Sequence, residues 1–301
     1  MSTSPSSDFA FSRRQYAFLA ILTITWGFNW PVMKTGVTDF APLGFRALSM
    51  WFGLPVLWLV LRVQKISFRV ARNDWRELGI LTLTNMLVWH VLAIIAVQAL
   101  SSGRTAILGY TMPIFSALWG VAVFNERLRS RHIAGIVAAA IGVSLLLWHE
   151  VDTLTGSPWA AVGMLVAAAT WALGTQQMRR TRIEAPTLAI VFWMTFLATL
   201  AMTAWTVLFE RDRWTVPSPV VAGAIAYNAI VTFGFAQPIW LILARNLPPI
   251  ASSMSVMLIP VLGTLSGAWF LDEQLHWQDG AAIVLVLIAI ASVMWPARQP
   301  A

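Results

Sequence analysis

From Gln15 onward the sequence is a succession of apolar runs, each about twenty residues long and closed by a charged or proline-containing turn. A run of ~20 apolar residues is what an α-helix needs to cross a bilayer core. Ten spans are expected, at roughly 15–34, 42–62, 75–98, 102–124, 132–149, 157–178, 187–208, 218–241, 248–271 and 278–296, with boundaries good to a few residues. Composition agrees. Of 301 residues, 58% are hydrophobic and 11% charged, against about 25% charged in ordinary soluble domains. The loops leave no room for a soluble domain, so the expected fold is an all-α integral membrane protein. There is no cysteine, which removes disulfide and thiol chemistry and leaves the redox compartment open.

A net charge of +7 would suit nucleic acid, but the basic residues sit in a few short inter-helix loops, which argues against that partner. Their distribution instead sets orientation. Fifteen Lys and Arg fall on one set of span ends, in clusters such as Arg62–Arg76, Arg127–Arg131 and Arg179–Arg182, and four fall on the other. Positive charge stays inside, so both termini are expected in the cytoplasm of a bacterial inner membrane. Residues 1–14 read as a cytoplasmic tail. The run after Arg13 and Arg14 lacks a small-residue cleavage site and reads as a retained first span, not a signal peptide.

The chain repeats. PIFSALWGVAVFNERL at Pro113–Leu128 recurs as PVLGTLSGAWFLDEQL at Pro260–Leu275, with Pro, Gly and Glu in register at an offset of 147. Thr25-Trp26 matches Thr170-Trp171, and Met33-Lys34 matches Met178-Arg179, at an offset of 145. Two five-helix repeats, 15–149 and 157–296, follow. Five is odd, so the halves are expected to insert with opposite orientation. The turn NERLRSRH becomes DEQLHWQD in the second copy and loses every arginine, as the positive-inside rule requires of an inverted repeat. Inverted repeats characterise secondary transporters, whose substrate site lies between the halves. A duplicated channel, enzyme or scaffold is the competing reading.

Several motifs together carry a resemblance. They are WGFNW at Trp26–Trp30, Pro42 with Arg46, TMPIFSALWGVAVFNERL, Gly135 and Gly142, TWALG at Thr170–Gly174, and SMSVMLIPVLGTLSGAWFLDEQL from Ser253. The pattern resembles the drug/metabolite transporter superfamily in its ten-helix branch of two EamA repeats, and within it the YddG-type aromatic-amino-acid exporters of bacteria. The resemblance implies export of amino acids and related small metabolites through a central cavity. It also implies that the first, third, fourth, sixth, eighth and ninth helices line that cavity, with the fifth and tenth peripheral.

All thirteen carboxylates lie in loops or at span ends. Intramembrane carboxylates are the usual proton relays, so a carboxylate-coupled antiporter and an aspartyl intramembrane protease are disfavoured. HExxH and GxSxG are absent. No enzyme, metal or cofactor is expected. What remains at mid-depth is neutral and polar. Asn85 and Trp89 share a face at i, i+4, with His90 beside them. Tyr227, Asn228 and Thr232 occupy the eighth span, and Tyr110 the fourth. With Trp26, Asn29 and Trp171 they form the expected substrate cavity, suited to amphipathic solutes with an apolar or aromatic side chain. The bland alternative gives Asn85 and Asn228 helix–helix hydrogen bonds and makes His90 a buried neutral group. Pro113 and Pro260 are the paired hinge candidates, and Pro42 and Gly44 open the second span at the outer side. Arg46 is expected to snorkel to the outer interface in preference to holding a substrate carboxylate. Glu126 and Glu273 are expected to cap helix ends and pair in loops.

Overall fold

The computed structural model describes residues 13–126, 130–152, 156–246 and 258–294. Among these it is helical throughout, with ten helices joined by short turns. They are α1 (Arg13–Thr38), α2 (Pro42–Val63), α3 (Trp75–Thr82, continuing through Leu83–Leu87 and Val88–Ala99), α4 (Ser102–Gly109 and Met112–Phe124) and α5 (Ser130–Asp152). The rest are α6 (Pro158–Arg180), α7 (Thr187–Phe209), α8 (Pro219–Tyr227, Asn228–Ala236 and Gln237–Asn246), α9 (Ile259–Leu271) and α10 (Trp277–Met294). The expected start of the ninth span, 248–257, and most of the tail at 1–14 lie outside the described residues.

Six helical stretches, in α2, α3, α4, α6, α7 and α8, are long and apolar enough to cross a membrane. Ile133–His149, Ile259–Leu271 and Trp277–Ser292 are shorter apolar helices. Helix α1 runs to Thr38, past the expected end at 34. It carries Asn29, Lys34 and four threonines, because one of its faces looks into the bundle. Large apolar side chains such as Phe52, Leu208, Phe209, Trp269 and Phe270 are exposed, an outer surface suited to lipid rather than water.

Local sequence explains where helices start and stop. The hydroxyls of Ser101 and Ser218 accept from the backbone of Arg104 and Val221, three residues on, the usual N-cap bond. Pro42, Pro158 and Pro219 stand in the first turn of their helices, where a missing N–H costs nothing. The repeated turn closes α4 and α9 alike. Asn125 (φ 56°) and Asp272 (φ 52°) adopt the left-handed conformation, which Asn and Asp tolerate better than other side-chain-bearing residues. The next N–H, of Glu126 or Glu273, then reaches back to the carbonyl of Gly120 (2.8 Å) or Gly267 (3.4 Å).

Three helices are interrupted at mid-length. Helices α3 and α8 contain π turns at Leu83–Leu87 and Asn228–Ala236, and α4 breaks at Tyr110–Thr111. Pro113 begins regular helix just beyond the break in α4, and Pro260 stands in the first turn of the described part of α9. Helices α5 and α10 lie against each other, Gly135 beside Ala289 and Ser292 and Gly142 beside Ala282 and Leu285. Neither contributes to the centre of the bundle.

Candidate functional site

A narrow cavity lies among α1, α2, α3, α4, α6 and α8, lined by Trp26, Asn29, Trp30, Met33, Arg46, Trp89, His90, Ala93, Tyr110, Trp171, Thr232 and Gln237. Its free volume is about 30 Å³, room for one or two waters. Helix α1 supplies Trp26, Asn29, Trp30 and Met33 because i, i+3, i+4 and i+7 share one helical face. Helix α8 supplies Thr232 and Gln237, five residues apart, because the intervening π turn follows an i→i+5 pattern.

Indoles make one wall. Trp89 and Trp171 have ring centroids 4.2 Å apart. Trp26 lies 5.8 Å from Trp171 and 5.7 Å from Trp240. Trp30 meets Tyr110 edge-on at 6.4 Å. Small residues permit this density: a Cβ at Gly109 would land between Met164, Trp89 and Trp30.

The opposite wall is polar. Arg46 is 1% exposed and donates from Nη1 to Asn228 Oδ1 (3.2 Å) and from Nη2 to Met33 Sδ (2.7 Å). Its guanidinium carbon lies 5.6 Å from the centre of the Phe233 ring. Arg46 therefore does not snorkel outward as expected. It is the fifth residue of α2, near that helix's N-terminal end, and its side chain turns inward, where Asn228 and Phe233 receive it. Sequence spacing cannot set that direction, because the partners come from α1 and α8.

Many polar atoms around the cavity are buried without a partner among the described residues: Asn29 Oδ1, Arg46 Nε, both ring nitrogens of His90, Trp171 Nε1 and Thr232 Oγ1. Buried polar groups in folded proteins are nearly always bonded. Such a cluster around one space indicates that water or a solute completes it.

Of the nine expected cavity residues, Trp26, Asn29, Trp89, His90, Tyr110 and Trp171 line the space. Asn228 stands behind the wall as the partner of Arg46. Asn85 is fully buried against Gly174 of α6 and is not among the lining residues. Tyr227 is not among the residues that line the space: it is half-buried and donates its hydroxyl to the Thr25 carbonyl (2.8 Å), which ties α8 to α1. Helix α2 enters the wall through Arg46, although the resemblance does not number it among the lining helices. Pro42 and Gly44 lie at the first turn of α2, where the buried Glu210 accepts from the backbone N–H of Leu43 (3.1 Å) and Gly44 (2.8 Å). Met33, Trp30 and Gln237 were not singled out. Only the α1 periodicity from Trp26 could have found the first two.

An apolar outer surface around a polar, indole-walled interior defines a multi-pass membrane protein with a narrow internal polar site. A family model described as the EamA-like transporter family matches residues 14–148 and again 158–295. The chain belongs to that family. It is 24% identical over 273 residues to the uncharacterized transporter YoaV of Bacillus subtilis, covering 89% of this chain and 91% of that one. It is 25% identical to the uncharacterized inner membrane transporter YedA of Escherichia coli K12, covering 94% and 93%. A probable amino-acid metabolite efflux pump of Escherichia coli K12 is 23% identical, covering 93% and 94%. A solved protein structure with 18% identity superposes with a TM-score of 0.71, over 96% of this chain and all of that one.

Proposed function

We propose that this protein is a secondary transporter of the bacterial inner membrane that exports amino acids and related amphipathic metabolites, those with aromatic or other apolar side chains foremost. The carrying observation is the cluster of unpartnered polar atoms facing an indole-walled space at the centre of the bundle. Indoles take an apolar side chain, while Asn29, His90 and Thr232 take its polar end. A relative described as a probable amino-acid metabolite efflux pump supports this substrate class.

The mechanism that fits is alternating access between two inverted halves. The cavity holds only one or two waters, so a solute requires the halves to part. Pro113, where α4 resumes regular helix after its break, and its repeat partner Pro260, in the first described turn of α9, are the proposed hinges, while Pro42 and Gly44 sit at an end of α2 clamped by Glu210. Lys34 and Arg179, the repeat-related cations, have matching roles. Lys34 donates to the carbonyls of Gln98 and Leu100 at the end of α3, and Arg179 to that of Ala244 near the end of α8.

Purified protein in liposomes loaded with unlabelled L-phenylalanine or L-leucine should accumulate the labelled amino acid by counterflow. If no amino acid on a broad panel exchanges, with or without a pH gradient, the reading fails.

A further inference from the structure

We propose that Arg46 is the anchor for a substrate carboxylate and that the central site selects apolar monocarboxylate anions, whether or not they carry an α-amino group. This rests on the cavity being the transport site and adds what the site reads in its solute.

A guanidinium stays charged at every physiological pH, and burying a charge is expensive unless it is paired. Two other cations within helices, the repeat-related pair, have structural explanations. Lys34 and Arg179 lie against backbone carbonyls at helix ends, where the helix dipole favours positive charge. Arg46 lies near the start of α2, the wrong end for that purpose. Among the described residues it makes no ion pair. Its partners are a neutral amide oxygen and a thioether, a weak acceptor. They orient the group without neutralising it, and Nε–H has no acceptor among the described residues. A carboxylate is the complement of such a planar, forked donor. Met33, with its flexible thioether, occupies Nη2 and is the contact a carboxylate oxygen would displace.

The opposite charge is missing. No Asp or Glu lines the cavity, and residues 247–257, which the structure does not describe, contain none. An α-ammonium group would find Asn29 Oδ1 and indole faces but no anion. The carboxylate is therefore read by charge and the amine is not. Trp26, Trp171 and Phe233 stand around this point to take the apolar tail.

Isothermal titration calorimetry on the detergent-purified full chain tests this with 3-phenylpropanoate, L-phenylalanine and L-phenylalaninamide. 3-Phenylpropanoate should bind at least as tightly as L-phenylalanine and at least about tenfold more tightly than the amide, the scale of one charge-assisted hydrogen bond. Arg46→Gln should erase that preference, and Arg46→Lys should keep part of it. The wild-type comparison stands even where a variant fails to fold. No binding of 3-phenylpropanoate, equal binding of the amide, or an unchanged preference in Arg46→Gln would each overturn the proposal. Counterflow separates it from the transporter reading. Carboxylate binding without flux of any solute sinks that reading and leaves this one. Phenylalanine flux blocked equally well by the amide does the reverse.

Discussion

Asn85 sits in the π turn of α3 with its carboxamide against the backbone of Gly174. It is wholly buried, and neither amide atom has a partner among the described residues. An unsatisfied buried amide costs about 1–3 kcal/mol, so a group kept there is kept for something other than stability. Asn85→Leu, of similar size, should raise the melting temperature by about 2–4 °C per kcal/mol recovered while lowering amino-acid counterflow. A lower melting temperature would mean that Asn85 has a bonding partner such as ordered water. Trp171 touches Trp26, Trp89 and Trp240 at once. Trp171→Ala should weaken competition by aromatic solutes by about tenfold or more, since losing a buried aromatic costs several kcal/mol, and should affect small solutes such as alanine far less. Equal effects on both would assign Trp171 to general scaffolding. Asn85 was singled out in sequence because an amide at mid-span is costly against lipid, and Trp171 because it is repeat-related to Trp26. The inward turn of Arg46 was not legible, because a long cationic side chain reaches either way from one backbone position and the choice belongs to Met33, Asn228 and Phe233.

Helix ends here are closed by acids from other helices. Glu273, beyond the left-handed cap of α9, accepts from Ser102 N (2.7 Å), Ser102 Oγ (2.8 Å) and Gly103 N (3.4 Å), which caps the start of α4. Its repeat partner Glu126 meets Arg180 at 2.5 Å instead, in a pair exposed to solvent. Exposed pairs contribute little, whereas a carboxylate on a helix N-terminus has both hydrogen bonds and dipole in its favour. Glu273 therefore holds α9 to α4 at one face of the bundle more firmly than Glu126 holds anything at the other. Glu273→Gln should loosen that face. The chain has no native cysteine, so Ala93→Cys in the cavity wall gives a clean reporter. Labelling by a membrane-impermeant maleimide from the α9–α4 cap side should rise severalfold in the double variant. Gly267→Ala, whose Cβ would land on Ser102 Oγ and the Glu273 carboxylate, should do the same. Unchanged labelling in both would reduce the contact to a passive cap. The sequence signalled the caps through Asn-Glu and Asp-Glu after an apolar run. It did not signal the π turns of α3 and α8, because an i→i+5 turn inside a helix has no residue signature of the kind that caps and prolines give.

At the scale of the whole molecule, hydropathy fixes how many helices there are, and charge fixes which way they point. Helix positions were legible because a bilayer-spanning segment has only one way to satisfy its backbone, and boundaries such as Pro42 and Thr187 fall where proline or loop residues interrupt the runs. Which helices surround the cavity was less legible, since that depends on close approaches such as Gly27 to Leu262 and Gly263 to Trp30 that no single segment encodes. Orientation still rests on arginine counts. Arg72 and Asp212 are both exposed, in the turns before α3 and after α7. Five helices, α3 to α7, separate them, so they must lie on opposite faces if each helix crosses once. The turn bearing Arg72 is rich in Arg and Lys and is expected at the cytoplasmic face, while Asp212 is expected on the opposite, poorer side. In intact cells an impermeant maleimide should label Asp212→Cys and leave Arg72→Cys untouched until the membrane is permeabilised. Labelling of both in intact cells would break the five-crossing count. The reverse pattern would turn the molecule over, and with it the direction in which the Glu273 contact controls access to Arg46.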